Sequence, residues 1–157
     1  MQKSSAFIFP GQGSQHEGML AELADKYPLI QDTFAEASTV LGYDLWSLSQ
    51  NDPEKKLSLT HITQPLILTA SLAIWRLWLE RGGDKPALMA GHSLGEYSAL
   101  VCSGALAFRD AVKLVQSRGE FMQSAVPVGI GAMAAIVGMA DAEVISACEA
   151  AAQGQVV

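Results

Sequence analysis

A serine stands between two glycines in the stretch "MAGHSLGEYSAL", as Gly91-His92-Ser93-Leu94-Gly95. The spacing G-x-S-x-G is how a strand turns sharply into a helix while holding a hydroxyl at the bend. Gly91 and Gly95 lack a Cβ, so strand and helix can approach closely and leave Ser93 exposed in a strained conformation. A hydroxyl is a weak nucleophile at neutral pH. It needs a base to take its proton and donors to hold the oxyanion that forms on attack. The helix that starts at the elbow has free N–H groups in its first turn, and that of Leu94 is the first oxyanion donor expected. The same spacing also occurs by chance in loops. Here an apolar, strand-like run precedes it and a helical pattern follows, which is the context the chemistry requires.

A second donor should come from a loop after another strand, and "FPGQGSQ" (Phe9–Gln15) is a glycine-rich turn of that kind. Read as a dinucleotide fingerprint, Gly11-x-Gly13 lacks its third glycine, because His16 occupies that place. No Gly-Lys-Ser/Thr follows, so it is not a phosphate loop, and the remaining alternative is a plain tight turn.

Arg118 is marked by its neighbours, since Ala111, Leu114, Val115, Phe121 and Met122 fall on the same side of its helix. An unpaired buried charge costs about 3–5 kcal/mol, so an anion should meet it. Either Asp110, Glu120 or Glu96 supplies a salt bridge, or the guanidinium grips a substrate carboxylate in bidentate fashion. The base is harder to place. His92 adjoins Ser93, and adjacent side chains in such a turn point apart, so it reads as a positioning or packing group. His16 lies in the glycine loop and His61 begins a helix, with no reason in the sequence to reach Ser93. In hydrolases with this elbow the histidine follows the serine, and after Ser93 there is none. Either this chain does not catalyse the reaction, or its base lies beyond Val157.

The elements that must position these residues alternate. "AFIF" (Ala6–Phe9) and "ALMAG" (Ala87–Gly91) read as short buried strands, and "GAMAAIVGM" (Gly131–Met139) as a third. Helical patterns cover about 19–26, 28–41 (closed by Gly42), 63–81, 93–102 and 109–124. In the longest, Leu66, Ala70, Ala73, Leu77 and Trp78 recur at helical spacing. "DAEVISACEAAAQG" reads as an amphipathic helix with Asp141 near its N-cap. Strands separated by long helices imply an α/β fold with a mainly parallel sheet. The one boundary expected lies near Val126–Gly131. Three strands are few for so many helices, and "QVV" begins a strand it does not finish, so the chain reads as truncated.

The composition, 50 % hydrophobic and 17 % charged over 157 residues, is that of a globular chain. A net charge of −6, without a basic cluster, argues against nucleic acid and against anionic membrane. The apolar segment Pro65–Leu79 is interrupted by Arg76 and reads as too short to span a bilayer, and no export signal precedes it. Cys102 and Cys148 are far apart, without metal-ligand spacing, and read as reduced thiols of a cytoplasmic protein.

"FIFPGQGSQ", "TQPLILTASLAIW", "AGHSLGEYSALVCSGAL" and "RGEFMQSAVPVGIGAMAAIVG", in this order, resemble the N-terminal part of bacterial malonyl-CoA–acyl carrier protein transacylases. The resemblance implies an α/β-hydrolase-like subdomain, here residues 1–128 and incomplete, followed in 129–157 by the first β-α of a ferredoxin-like one. It implies Ser93 as the nucleophile that carries the malonyl ester, Gln12 and Leu94 as oxyanion donors through their N–H groups, and Arg118 as the partner of the malonyl carboxylate. No metal or redox cofactor is implied, coenzyme A entering as the substrate thioester. The partners implied are malonyl-CoA and acyl carrier protein, with a second chain completing the fold as a further expectation. The family's histidine has no counterpart in the chain, so the fragment by itself is expected to be inactive. The alternatives are a serine esterase of neutral esters, to which Arg118 would be useless, and a non-catalytic acyl-binding fragment.

Overall fold

The computed structural model describes residues 5–125 and 136–152. Two compact units divide the chain, the first ending at Val126 and the second running from Pro127.

The first unit begins with β1 (Ala6–Phe9). Four helices follow, α1 (Ala21–Ala24), α2 (Leu29–Leu41), α3 (Leu45–Gln50) and α4 (Thr60–Glu80), the last entered through a 3-10 turn at Lys56–Ser58. Then come β2 (Leu88–Gly91), α5 (Leu94–Cys102) and α6 (Phe108–Ala125). The strands pair in parallel, Ala6 opposite Leu88 and Phe9 opposite Gly91. Parallel pairing needs a long crossover, which α1–α4 supply. Because both strands run the same way, the glycine loop after β1 and the serine elbow after β2 leave the sheet at one end.

α4 is the axis of the unit and touches α2, α5 and α6. Every residue from Ile62 to Ala73 is buried, including the polar Thr63, Gln64, Thr69 and Ser71. By length and composition this helix could cross a membrane, but 78 % of its apolar window is buried inside the fold. The predicted stripe holds at Leu66, Ala70, Ala73 and Leu77, whereas Trp78 stays 43 % exposed. Trp78 and Trp75 nevertheless meet Phe7 of β1 edge-to-face, with centroids 5.5 Å apart in both pairs, which ties the sheet to α4.

α2 buries Ile30, Thr33, Phe34 and Ala37, one face at helical spacing. It ends at Gly42, whose φ of 79° is the left-handed conformation a helix stop favours. The expected first helix is shorter than 19–26. α3 is not among the helices that the sequence pattern predicts, although its signal is present. Asp44 caps it by accepting from the Ser47 N–H at 2.9 Å, and Trp46 packs against Phe34 at 5.0 Å.

In the second unit, α7 (Asp141–Ala152) is the helix expected there. Its start is fixed from Glu143, whose carboxylate accepts from the Ala140 N–H at 3.2 Å, and Asp141 is its first residue. None of its residues is buried, so no amphipathic face is engaged. The predicted strand Gly131–Met139 falls on 131–135, outside the described residues, and its described end, 136–139, is not strand. The final "QVV" and the whole of the expected boundary, Val126–Gly131, also lie outside the described residues.

Candidate active site

Ser93 occupies the turn between β2 and α5 with φ 54° and ψ −110°. A side-chain-bearing residue with positive φ costs on the order of 1–3 kcal/mol and persists only where the surroundings impose it. The imposing groups are visible. A Cβ on Gly91 would collide with the backbone of Gly95 and Glu96, and one on Gly95 with the Phe9 carbonyl. With neither Cβ present, β2, α5 and the end of β1 close on one another, and the serine is pushed outward and stays exposed. The Gly95 N–H donates to the His92 carbonyl at 2.9 Å, which tightens the bend. The His92 side chain is exposed, so this residue shapes the elbow through its main chain rather than by packing.

The glycine loop lies against the same bend. A Cβ on Gly11 would stand 3.1 Å from the His92 carbonyl oxygen, so the loop rides directly on the elbow. Its shape is held locally by Ser14, which donates to the Gly11 carbonyl at 2.9 Å, and by the Gly13 N–H donating to Gln15 Oε1 at 2.9 Å. The Gln12 side chain reaches Thr60 Oγ1 at 3.4 Å, a long bond to the start of α4. Among the described residues, the N–H groups of Gln12 and Leu94 have no acceptor. Both are therefore free to donate to a ligand.

Arg118 comes from α6. Its Nη2 donates to Ser93 Oγ at 3.0 Å and its Nη1 to Gln64 Oε1 at 2.6 Å, while the guanidinium lies 5.6 Å from the centroid of the Tyr97 ring. No carboxylate pairs with it among the described residues, so the alternative partners Asp110, Glu120 and Glu96 are set aside. Its apolar setting is also corrected. Ala111 and Val115 are buried, but Leu114, Phe121 and Met122 are 47, 74 and 38 % exposed, and Arg118 sits half-buried at the border of the packed face.

Two residues of this arrangement were missed from the sequence. Gly119 lets α6 touch the backbone of α4, since a Cβ there would stand 2.5 Å from His61 Cα and 2.7 Å from the Thr60 carbonyl oxygen. That contact sets Arg118 beside Gln64 on the following turn of α4. A glycine within a helix costs about 1 kcal/mol against alanine, and such a cost signals a packing reason. Gln64 was legible as a polar residue at the head of an apolar run.

No histidine reaches the serine. Neither His16, His61 nor His92 hydrogen-bonds Ser93 in the structure, and Arg118, which does, only donates. The described residues therefore assemble a strained hydroxyl, free N–H donors and a cation, without a base.

Known proteins resemble this chain in sequence and in fold. The family model described as "Acyl transferase domain" matches residues 6–157. A malonyl CoA-acyl carrier protein transacylase from Salmonella typhimurium is 62 % identical over 152 residues, covering 97 % of this chain and 49 % of the relative. The structure of the corresponding transacylase from Coxiella burnetii superposes with a TM-score of 0.92 at 60 % identity, over 98 % of this chain and 49 % of that one. A malonyl-transacylase solved in complex with its type II PKS acyl-carrier protein matches with a TM-score of 0.92 at 57 % identity, over 98 % and 50 %. The chain thus spans about half the length of these relatives. Since the match begins in β1, takes in the elbow, the glycine loop and Arg118, and runs to the last residue, this chain belongs to the acyl transferase domain family.

Proposed function

We propose that the complete protein transfers a malonyl group from malonyl-CoA to the phosphopantetheine thiol of an acyl carrier protein, in fatty-acid synthesis, through a malonyl ester on Ser93. The observation that carries this reading is the contact between Arg118 and Ser93, a cation 3.0 Å from the nucleophile with no carboxylate of its own among the described residues. In a malonyl ester the free carboxylate begins three bonds from Oγ. The guanidinium that now donates to Oγ is within reach of it, and a neutral acyl group would give this charge nothing to bind. That argues against the esterase alternative.

In the first half-reaction Ser93 Oγ attacks the thioester carbonyl, its proton passes to a base, and the N–H groups of Gln12 and Leu94 take the oxyanion. Collapse forms the ester and expels coenzyme A, whose sulfur recovers the proton. In the second, the carrier-protein thiol attacks the ester, the same donors hold the oxyanion, and Ser93 leaves with a proton. Each oxyanion donor is worth about 10²–10³ in rate. The base that the resemblance implies is a histidine outside residues 1–157, in keeping with no histidine among the described residues hydrogen-bonding Ser93. Residues 1–128 form the hydrolase-like subdomain and 129–157 open the ferredoxin-like one. The reaction is placed in the cytoplasm, with neither nucleic acid nor membrane as partner, in keeping with a net charge of −6.

The test is to incubate the complete gene product with malonyl-CoA and map the adduct by peptide mass. A malonyl group on Ser93, absent in Ser93→Ala, is expected. A malonyl group on another residue with Ser93 free would refute the assignment.

A further inference from the structure

Two half-buried arginines of the first unit are partnered in opposite ways. Arg76 on α4 donates to Glu36 Oε2 at 2.8 Å and to Thr33 Oγ1 at 3.2 Å, so a carboxylate cancels its charge. Arg118 has instead a carboxamide, Gln64, at 2.6 Å. Gln64 is wholly buried, and both ends of its amide are engaged, Oε1 accepting from Arg118 and Nε2 donating to Met122 Sδ at 3.2 Å. A guanidinium offers only donors, so the amide must turn its oxygen to Arg118.

We propose that Gln64 is a positioning residue that orients the Arg118 guanidinium without neutralising it, and so sets the preference for acyl groups that end in a carboxylate. This rests on the reading of Ser93 as a malonyl carrier. The amide occupies Nη1 and leaves Nη2 directed at the nucleophile. Being neutral, it leaves the full positive charge for the substrate's carboxylate. A glutamate at 64 has the same shape and also accepts from Nη1, but it repeats the Arg76–Glu36 arrangement and cancels that charge. Burial makes the difference large, because interactions between buried charges are weakly screened. The third neighbour, the Tyr97 ring at 5.6 Å, brings no carboxylate either.

The experiment loads the complete gene product, and its Gln64→Glu and Gln64→Met variants, with malonyl-CoA and acetyl-CoA, following Ser93 occupancy by intact mass. Gln64→Glu is expected to lower the ratio of malonyl to acetyl loading by about ten-fold or more. Gln64→Met keeps the bulk but removes the acceptor, and is expected to raise KM for malonyl-CoA more than it lowers kcat. Thermal unfolding reports whether each variant is folded, and if Gln64→Glu is not, Gln64→Met decides. Equal losses for both acyl donors, or an unaltered ratio, would overturn the proposal and leave Gln64 a packing residue. Failure of the unsubstituted protein to take malonate onto Ser93 would instead overturn the reading on which it rests.

Discussion

Arg118 Nη2 and Ser93 Oγ, 25 residues apart in sequence, meet at 3.0 Å, with the arginine donating and the serine accepting. A donor on Oγ cannot remove its proton. In the proposed reaction, its place beside Ser93 serves the acyl group that becomes attached there.

Arg118→Ala is accordingly expected to lower kcat/KM for malonyl-CoA about ten- to hundred-fold more than for acetyl-CoA, the worth of roughly 1.5–3 kcal/mol for a charge-assisted hydrogen bond. Arg118→Lys should recover little, since an ammonium cannot form the bidentate fork. Equal losses for the two donors would mean that the arginine is structural.

The close approaches at Gly95 and Gly119 make two different demands. A methyl group at 95 would strike the Phe9 carbonyl, and one at 119 would press on His61 and Thr60. Each alanine variant should lose about 1–3 kcal/mol of stability through overpacking, read as a lower midpoint in denaturant. Gly95→Ala should impair loading with either acyl donor, because it parts the glycine loop from the elbow. Gly119→Ala moves Arg118, and should cost malonyl loading more. The same loss pattern from both variants would contradict this division of labour.

Stability should fall on the alkaline side. Burial pushes the Cys102 thiol up from 9.0 to about 12, against a smaller opposing pull from Arg76. Burial also pushes the Tyr43 hydroxyl up from 10.0 to about 12, with Glu120 adding to it. Both groups hold their protons more tightly folded than unfolded. Their contribution is complete below pH 9 and is lost as pH rises towards 12. Denaturant midpoints measured from pH 8 upward should decline, and Cys102→Ala should flatten part of that slope. Alkylation at pH 8 should modify the exposed Cys148 before the buried Cys102. A flat profile, or equal alkylation rates, would show that these sites are open to water.

Residues 1–157 on their own should show only residual transfer, of the order of 10³–10⁴ over water, because Ser93 has no base among the described residues. Ile8 and Leu88, on one face of the sheet, are 74 and 71 % exposed, so the isolated chain should also bind hydrophobic dyes. Adding the C-terminal half of the Salmonella relative as a separate polypeptide should quench the dye signal and restore some transfer. Turnover by 1–157 alone near that of the complete protein would move the search for the base to His16 and His92.

The local part of this site was legible in the sequence. An apolar run ending in G-x-S-x-G determines a strand, a strained serine and a helix, because absent Cβ atoms and backbone sterics act over a few residues. The helical stripe of α2 and the stop at Gly42 follow from the same short-range rules. Arg118 could be recognised as needing an anion, while its partner could not be chosen. That choice belongs to tertiary structure. Gln64 lies 54 residues from Arg118, and the two meet because Gly119 allows α6 to touch α4 at Thr60 and His61. Where two helices cross depends on the volumes of both faces together, which no spacing within either helix encodes. Short-range rules thus account for the serine and its bend, whereas the packing of α4 against α6 is what brings a carboxamide, and not a carboxylate, to Arg118 Nη1.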